Sequence, residues 1–141
     1  MEETLESLEA ERKSLYRKME ELGDFRRGII SVNFRKCGKK NCACAKPGHG
    51  GHGPQYLWNT TIKGKSYAKN LRSGPELQKY MQETARYREF LSLCEHLVKL
   101  NERISDVRPV VEIEDGNERE ALKKKLQAIL RKKLKKNGTS S

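Results

Sequence analysis

"CGKKNCACAKPGHGGHGP", residues 37–54, gathers three cysteines and two histidines into eighteen positions. Five glycines and two prolines in the same stretch leave almost no apolar side chain to bury, so the segment cannot order itself by hydrophobic packing. A metal ion can supply that order, because binding free energy becomes folding free energy where no preformed site exists. Zn²⁺ takes four thiolate or imidazole ligands in a tetrahedron. Cys37, Cys42 and Cys44 offer three, at x4 and x1 spacing, and Gly38 after Cys37 suits a tight knuckle whose N–H groups turn toward the thiolate. The fourth is His52 or His49. His52 stands two residues before Pro54, where a strand begins, and so can fasten the exit of the loop to its entrance. We therefore expect one structural Zn²⁺ on Cys37, Cys42, Cys44 and His52, with His49 as the alternative. The stretch has no C-x-x-C pair for redox chemistry and no Asp or Glu to act as a general base, so no enzymatic role is expected.

The pattern on either side sets the fold. Before the loop, Ile30, Val32 and Phe34 alternate with Ser31, Asn33 and Arg35, the period of a half-buried strand. After it, Tyr56 to Ile62 is aromatic and β-branched, and Lys63-Gly64-Lys65 makes a short turn into a partner strand over 66–71. The flanks change to helical period. Leu5, Leu8, Leu15, Met19 and Leu22 recur at 3/4 spacing, with Arg12 on the same seam, which predicts a helix over 2–22 stopped by Gly23. Ser73-Gly74-Pro75 opens a second, long helix to about 106, with a broad apolar face that includes Leu77, Tyr80, Met81, Tyr87, Phe90, Leu91, Cys94, Leu97, Val98 and Ile104. Pro109 breaks it.

The expected architecture is α+β and mainly helical. A long antiparallel, coiled-coil-like helical hairpin carries a small zinc-stapled antiparallel sheet and is followed by a basic helix. The divisions are an N-terminal helix (1–24), a zinc-stapled β domain (25–72), the long helix (73–106), an acidic linker (107–117), a basic amphipathic helix (118–136) and a disordered tail (137–141). Cys94 falls on the apolar face as a small hydrophobe, and His96 faces solvent.

Charge points to the partner. The 141-residue chain carries a formal net charge of +11, distributed in blocks. Residues 1–24 hold eight acids and four bases, whereas residues 25–75 hold eleven bases and no acid. Residues 119–136 hold nine bases and one acid. Surfaces of one sign repel themselves, so two such blocks call for a polyanion, and nucleic acid is the ligand expected. The candidate contacts are Arg26, Arg27, Arg35, Lys36, Lys39, Lys40, Lys46, Lys63, Lys65 and Lys69 in the first block. In the second they are Lys123, Lys124, Lys125, Arg131, Lys132 and Lys133. Tyr56, Trp58 and Tyr67 lie among the bases of the first block, either to stack on nucleobases or to form the core of the sheet. No apolar run is long enough to span a bilayer and no apolar leader follows Met1, so the expectation is a cytoplasmic protein without a membrane partner.

"RRG" at 26–28, "CGKKNCACA" at 37–45, "HGP" at 52–54, "YLW" at 56–58 and "GK" at 64–65 together resemble a family of small, largely uncharacterised prokaryotic proteins with a C-G-K-x-x-C-x-C…H-G-P signature. The resemblance covers residues 25–105 and matches Cys37, Cys42, Cys44 and His52, which favours His52 over His49. Members often accompany mobile genetic elements and transposases. The resemblance thus implies an accessory factor of such machinery and DNA as the preferred ligand, with RNA possible. The rival expectation is an adaptor that docks a larger nucleic-acid enzyme, or a second copy, through the helices at 2–22 and 75–105.

Overall fold

The computed structural model describes residues 3–138. Two units separate at Val107/Arg108. The first contains helix α1 (Leu5–Glu21), strand β1 (Ile29–Arg35), a short 3-10 turn (Ala43–Ala45), strands β2 (His52–Ile62) and β3 (Lys65–Leu71), and helix α2 (Pro75–Val107). The second contains helix α3 (Gly116–Gly138). Among the described residues, no helix is long and apolar enough to cross a membrane.

A reciprocal cap starts α1. Thr4 Oγ1 accepts from the Ser7 N–H and Ser7 Oγ accepts from the Thr4 N–H, both at 3.1 Å, which satisfies two N–H groups that the helix leaves without partners. Leu8 and Leu15 then fall on one face and meet Leu100 and Ile104 of α2 to form the main apolar core, with Leu5, Leu93 and Leu97 against it. Polar pairs extend this contact along both helices. Arg12 Nη1 donates to Asn101 Oδ1 at 2.9 Å, His96 Nε2 lies 3.1 Å from Glu11 Oε1, and Arg103 pairs with Glu3. Arg12 therefore belongs to the seam that its spacing indicates. Beyond α1, Phe25 stacks on Phe90 with centroids 4.8 Å apart.

The three strands form an antiparallel sheet in sequence order. Lys63 (φ 51°) and Gly64 (φ 78°) make the β2–β3 turn, with both residues in the left-handed region that matches the twist of a two-residue hairpin. Ile30, Trp58 and Lys69 lie across from one another, as do Val32, Tyr56 and Leu71, so these residues share a face. Tyr80 of α2 meets that face: its ring sits edge-on to Trp58 at 5.8 Å, and Lys69 Nζ lies 3.4 Å from its hydroxyl. Leu71 is buried here. The alternation in β1 leads one to expect Val32 and Phe34 to be half-buried as well. They are instead 57% and 58% exposed, because the helix covers the Trp58–Lys69 rungs and the sheet continues past it toward the cysteine loop.

In the second unit, Asp115 caps the start of α3. Its carboxylate accepts from the Asn117 N–H at 2.9 Å, and its carbonyl accepts from the Arg119 N–H at 3.0 Å. Helix α3 runs to Gly138, past the Lys136 boundary read from the sequence, and its Leu122, Leu126, Ile129, Leu130 and Leu134 are all exposed. The rest of the expected tail, 139–141, lies outside the described residues.

Candidate metal centre

Strands β1 and β2 are paired up to the loop, and this pairing brings its ends together. The register shifts between Asn33 and Arg35, which lets Arg35 pair with His52. Such a bulge bends a strand and re-aims the residues beyond it. Two residues later the chain reaches Cys37. Its sulfur accepts from the Lys39 backbone N–H, the inward turn that glycine at 38 allows (φ 80°). Cys42 heads the 3-10 turn and its carbonyl accepts from the Ala45 N–H at 3.0 Å. That turn carries Cys44 back under the loop, where it is 1% exposed.

The four groups converge. The Sγ atoms of Cys37, Cys42 and Cys44 and one ring nitrogen of His52 all lie within 4.8 Å of one another. Cys37 Sγ and Cys44 Sγ are 3.5 Å apart, and Cys42 Sγ is 3.2 Å from His52 Nε2. Bonds of about 2.0–2.3 Å in a tetrahedron put ligand atoms about 3.5–3.8 Å apart, so the cluster has nearly the dimensions of a four-coordinate site. His49 does not join it: its Nδ1 accepts from the Gly51 N–H at 2.9 Å.

The proton affinities suit a cation. The Lys39 N–H, the His52 ring and the Cys44 thiol hold the Cys37 thiol down to about 6, so it is largely thiolate at neutral pH. Cys44 accepts a backbone N–H from Cys37, which favours its thiolate. Burial and the neighbouring sulfurs of Cys37 and Cys42 outweigh that bond and push the thiol up. The site thus holds one negative charge readily and resists a second, a conflict that a divalent cation at its centre would remove. The donor set and the spacing both fit a metal.

The candidate nucleic-acid residues divide into two groups. Residues 25–75 contain no acid in sequence, but α2 brings two acids to them in space. Arg26 Nε donates to Glu83 Oε1 at 2.9 Å, and its guanidinium lies 3.8 Å from the Tyr80 ring centroid and 5.7 Å from that of Trp58. Glu76 faces both Lys69 and Arg72 at 3.8 Å. Arg26 is thus committed to internal packing, and Lys69 faces Tyr80 and Glu76. Sequence reasoning missed Glu83 because nothing local marks a helical acid as the counterion of a segment 57 residues earlier, and it placed Tyr80 on the apolar face of the helix without its contact to Arg26. By contrast, Arg27, Arg35, Lys36, Lys39, Lys40, Lys46, Lys63 and Lys65 are exposed and make no ion pair with a carboxylate among the described residues. Lys40, Asn41, Lys46 and Pro47 line a cleft of about 420 Å³ beside Cys42. In the second unit, Lys123, Lys124, Lys125, Arg131, Lys132 and Lys133 are exposed on α3.

Fold and site define a small α+β protein in which a Cys₃His cluster closes the loop end of a three-stranded sheet braced by helices. The chain belongs to the family described as a domain of unknown function, DUF6788, whose model matches residues 5–78, from the start of α1 into the first turn of α2. No curated protein and no solved structure shows a significant match.

Proposed function

We propose that this is a non-enzymatic, zinc-stapled nucleic-acid-binding protein of the cytoplasm, with DNA preferred, acting as an accessory factor to a mobile-element or transposase machinery. The observation that carries this reading is a basic belt that runs along the sheet and onto the cysteine loop. Eight exposed lysines and arginines between 27 and 65 make no ion pair with a carboxylate among the described residues, whereas the acids of α2 pair with Arg26, Lys69 and Arg72. Zn²⁺ on Cys37, Cys42, Cys44 and His52 would supply folding energy and hold the loop closed. Lys39, Lys40 and Lys46 would then be presented together to phosphates. The paired helices form a hairpin scaffold with coiled-coil-like packing, and the lysines of α3 add a second electrostatic contact. The mobile-element role rests on the resemblance of the C-G-K-x-x-C-x-C…H-G-P signature.

Titration of labelled DNA with the zinc-loaded protein tests the reading. Binding is expected at low salt and should weaken steeply as salt rises, because phosphate contacts release condensed counterions. No binding at low salt sinks it. That result would favour a second reading, in which the protein is an adaptor or dimer. The exposed Met81, Leu91 and Val98 of α2 and the bare apolar stripe of α3 would suit such docking.

A further inference from the structure

The sheet end next to the metal cluster carries more than charge. Phe34 and Val32 are exposed there, although their alternation is that of core residues. The Phe34 ring lies against Gly53, where an added Cβ would come within 3.1 Å of the ring. Gly53 follows the ligand His52, and Cys42, 3.2 Å from His52, borders the Lys40–Lys46 cleft. An uncovered aromatic ring and a rim of basic side chains without carboxylate partners among the described residues therefore occupy the same end of the sheet.

Duplex DNA presents phosphates to such a rim but keeps its bases stacked, so it would leave Phe34 without a partner. A strand with unpaired bases satisfies both features. Its phosphates meet Arg35, Lys36, Lys40 and Lys46 while a base stacks on Phe34. Excess positive charge with no neighbouring carboxylate argues against an acid-poor protein segment as the occupant of this apolar surface. Resting on the nucleic-acid reading above, we infer that the Phe34 end of the sheet is a binding site for unpaired nucleic-acid strands, with Phe34 as its stacking platform.

Fluorescence anisotropy of the full-length, zinc-loaded chain tests this with a twenty-nucleotide single-stranded DNA, the same sequence as RNA, and the DNA duplex. Both single strands should bind at least about fivefold more tightly than the duplex if stacking is the shared chemistry. A preference between the two would identify the sugar the site favours. Phe34→Ala should lose about fivefold or more on single strands while duplex affinity stays unchanged, in line with the cost of removing one stacked aromatic. Should Phe34→Ala lose its metal or its fold, Phe34→Trp serves instead, and its added fluorescence should be quenched by single strands and not by duplex. Duplex preference, equal losses on both forms, or an unquenched Trp overturns the inference while leaving nucleic-acid binding intact. Failure of all three ligands to bind at low salt overturns both readings together.

Discussion

His49 and His52 show how little separates a candidate ligand from a bystander at the residue scale. Both sit in the same glycine-rich run, but only His52 is in β2, where pairing with Arg35 fixes its backbone relative to β1 and so to Cys37. His49 bonds to its own turn instead. A chelator competition should therefore separate them: His49→Ala keeps about one zinc per chain, whereas His52→Ala weakens zinc binding on the order of a hundredfold. Equal losses would mean that the histidines exchange roles. The sequence made the three cysteines and the strand-edge histidine legible, because the chemistry of a tetrahedral ion restricts residue type and spacing. It did not reveal why "RRG" and "YLW" occur together. In the fold they form one packing unit around Trp58. Arg26 lies over the ring, the Arg27 carbonyl accepts from Trp58 Nε1 at 2.9 Å, and Gly28 leaves room for the indole, where a Cβ would also meet the Asn59 carbonyl at 2.8 Å.

At the scale of elements, α2 serves two different partners along its 33 residues. Its C-terminal half meets α1 through Leu100 and Ile104, and its N-terminal half meets the sheet through Tyr80, Glu83 and Thr84. Apolar spacing identified the helix but not this division. Met81, Leu91 and Val98 match the period and remain exposed, while Glu83 breaks it and is 5% exposed. The reason is that the α1–β1 connection reaches the helix through a charged residue, Arg26, and a charged residue draws in an acid. Burial works to raise the Glu83 pKa, but the hydrogen bond from Lys79 and the charge and hydrogen bond of Arg26 prevail and hold the carboxyl below its usual value. A depressed carboxyl pKa stabilises the fold fully above the unfolded value and loses that contribution as pH falls through the folded one. Glu83→Gln should accordingly cost about 1–2 kcal/mol at pH 7, since its partners remain partly solvated. In thermal melts the gap between the wild type and the variant should narrow below about pH 4.5. Any loss of metal in acid would affect both proteins, so the gap isolates the carboxylate. A gap that stays constant from pH 6 to 3 would show that Glu83 acts through packing alone.

For the whole molecule, the distribution of charge separates what folds the protein from what it offers to a partner. Acids on α2 and next to α1 face basic neighbours such as Arg26, Lys79 and Arg103, whereas the bases of the belt and Lys123, Lys124, Lys125, Arg131, Lys132 and Lys133 of α3 make no ion pair with a carboxylate among the described residues. The two blocks were readable from sequence because net charge needs no fold to be counted. Which members of the first block are spent internally was not, because that depends on where α2 crosses the sheet. On α3 the exposed leucines and the lysines make opposite demands. Phosphates would engage the lysines and leave the stripe bare, whereas a protein partner would cover the stripe. Replacing Lys123, Lys124, Lys125, Arg131, Lys132 and Lys133 with Gln decides between them. Each cationic side chain withdrawn from a duplex phosphate flattens the plot of log affinity against log salt by about 0.9. If half of these six side chains engage DNA, the slope should therefore fall by about 3, with zinc content unchanged as the control. An unchanged slope would remove α3 from the nucleic-acid surface and leave its five exposed leucine and isoleucine side chains as the docking face of the adaptor reading.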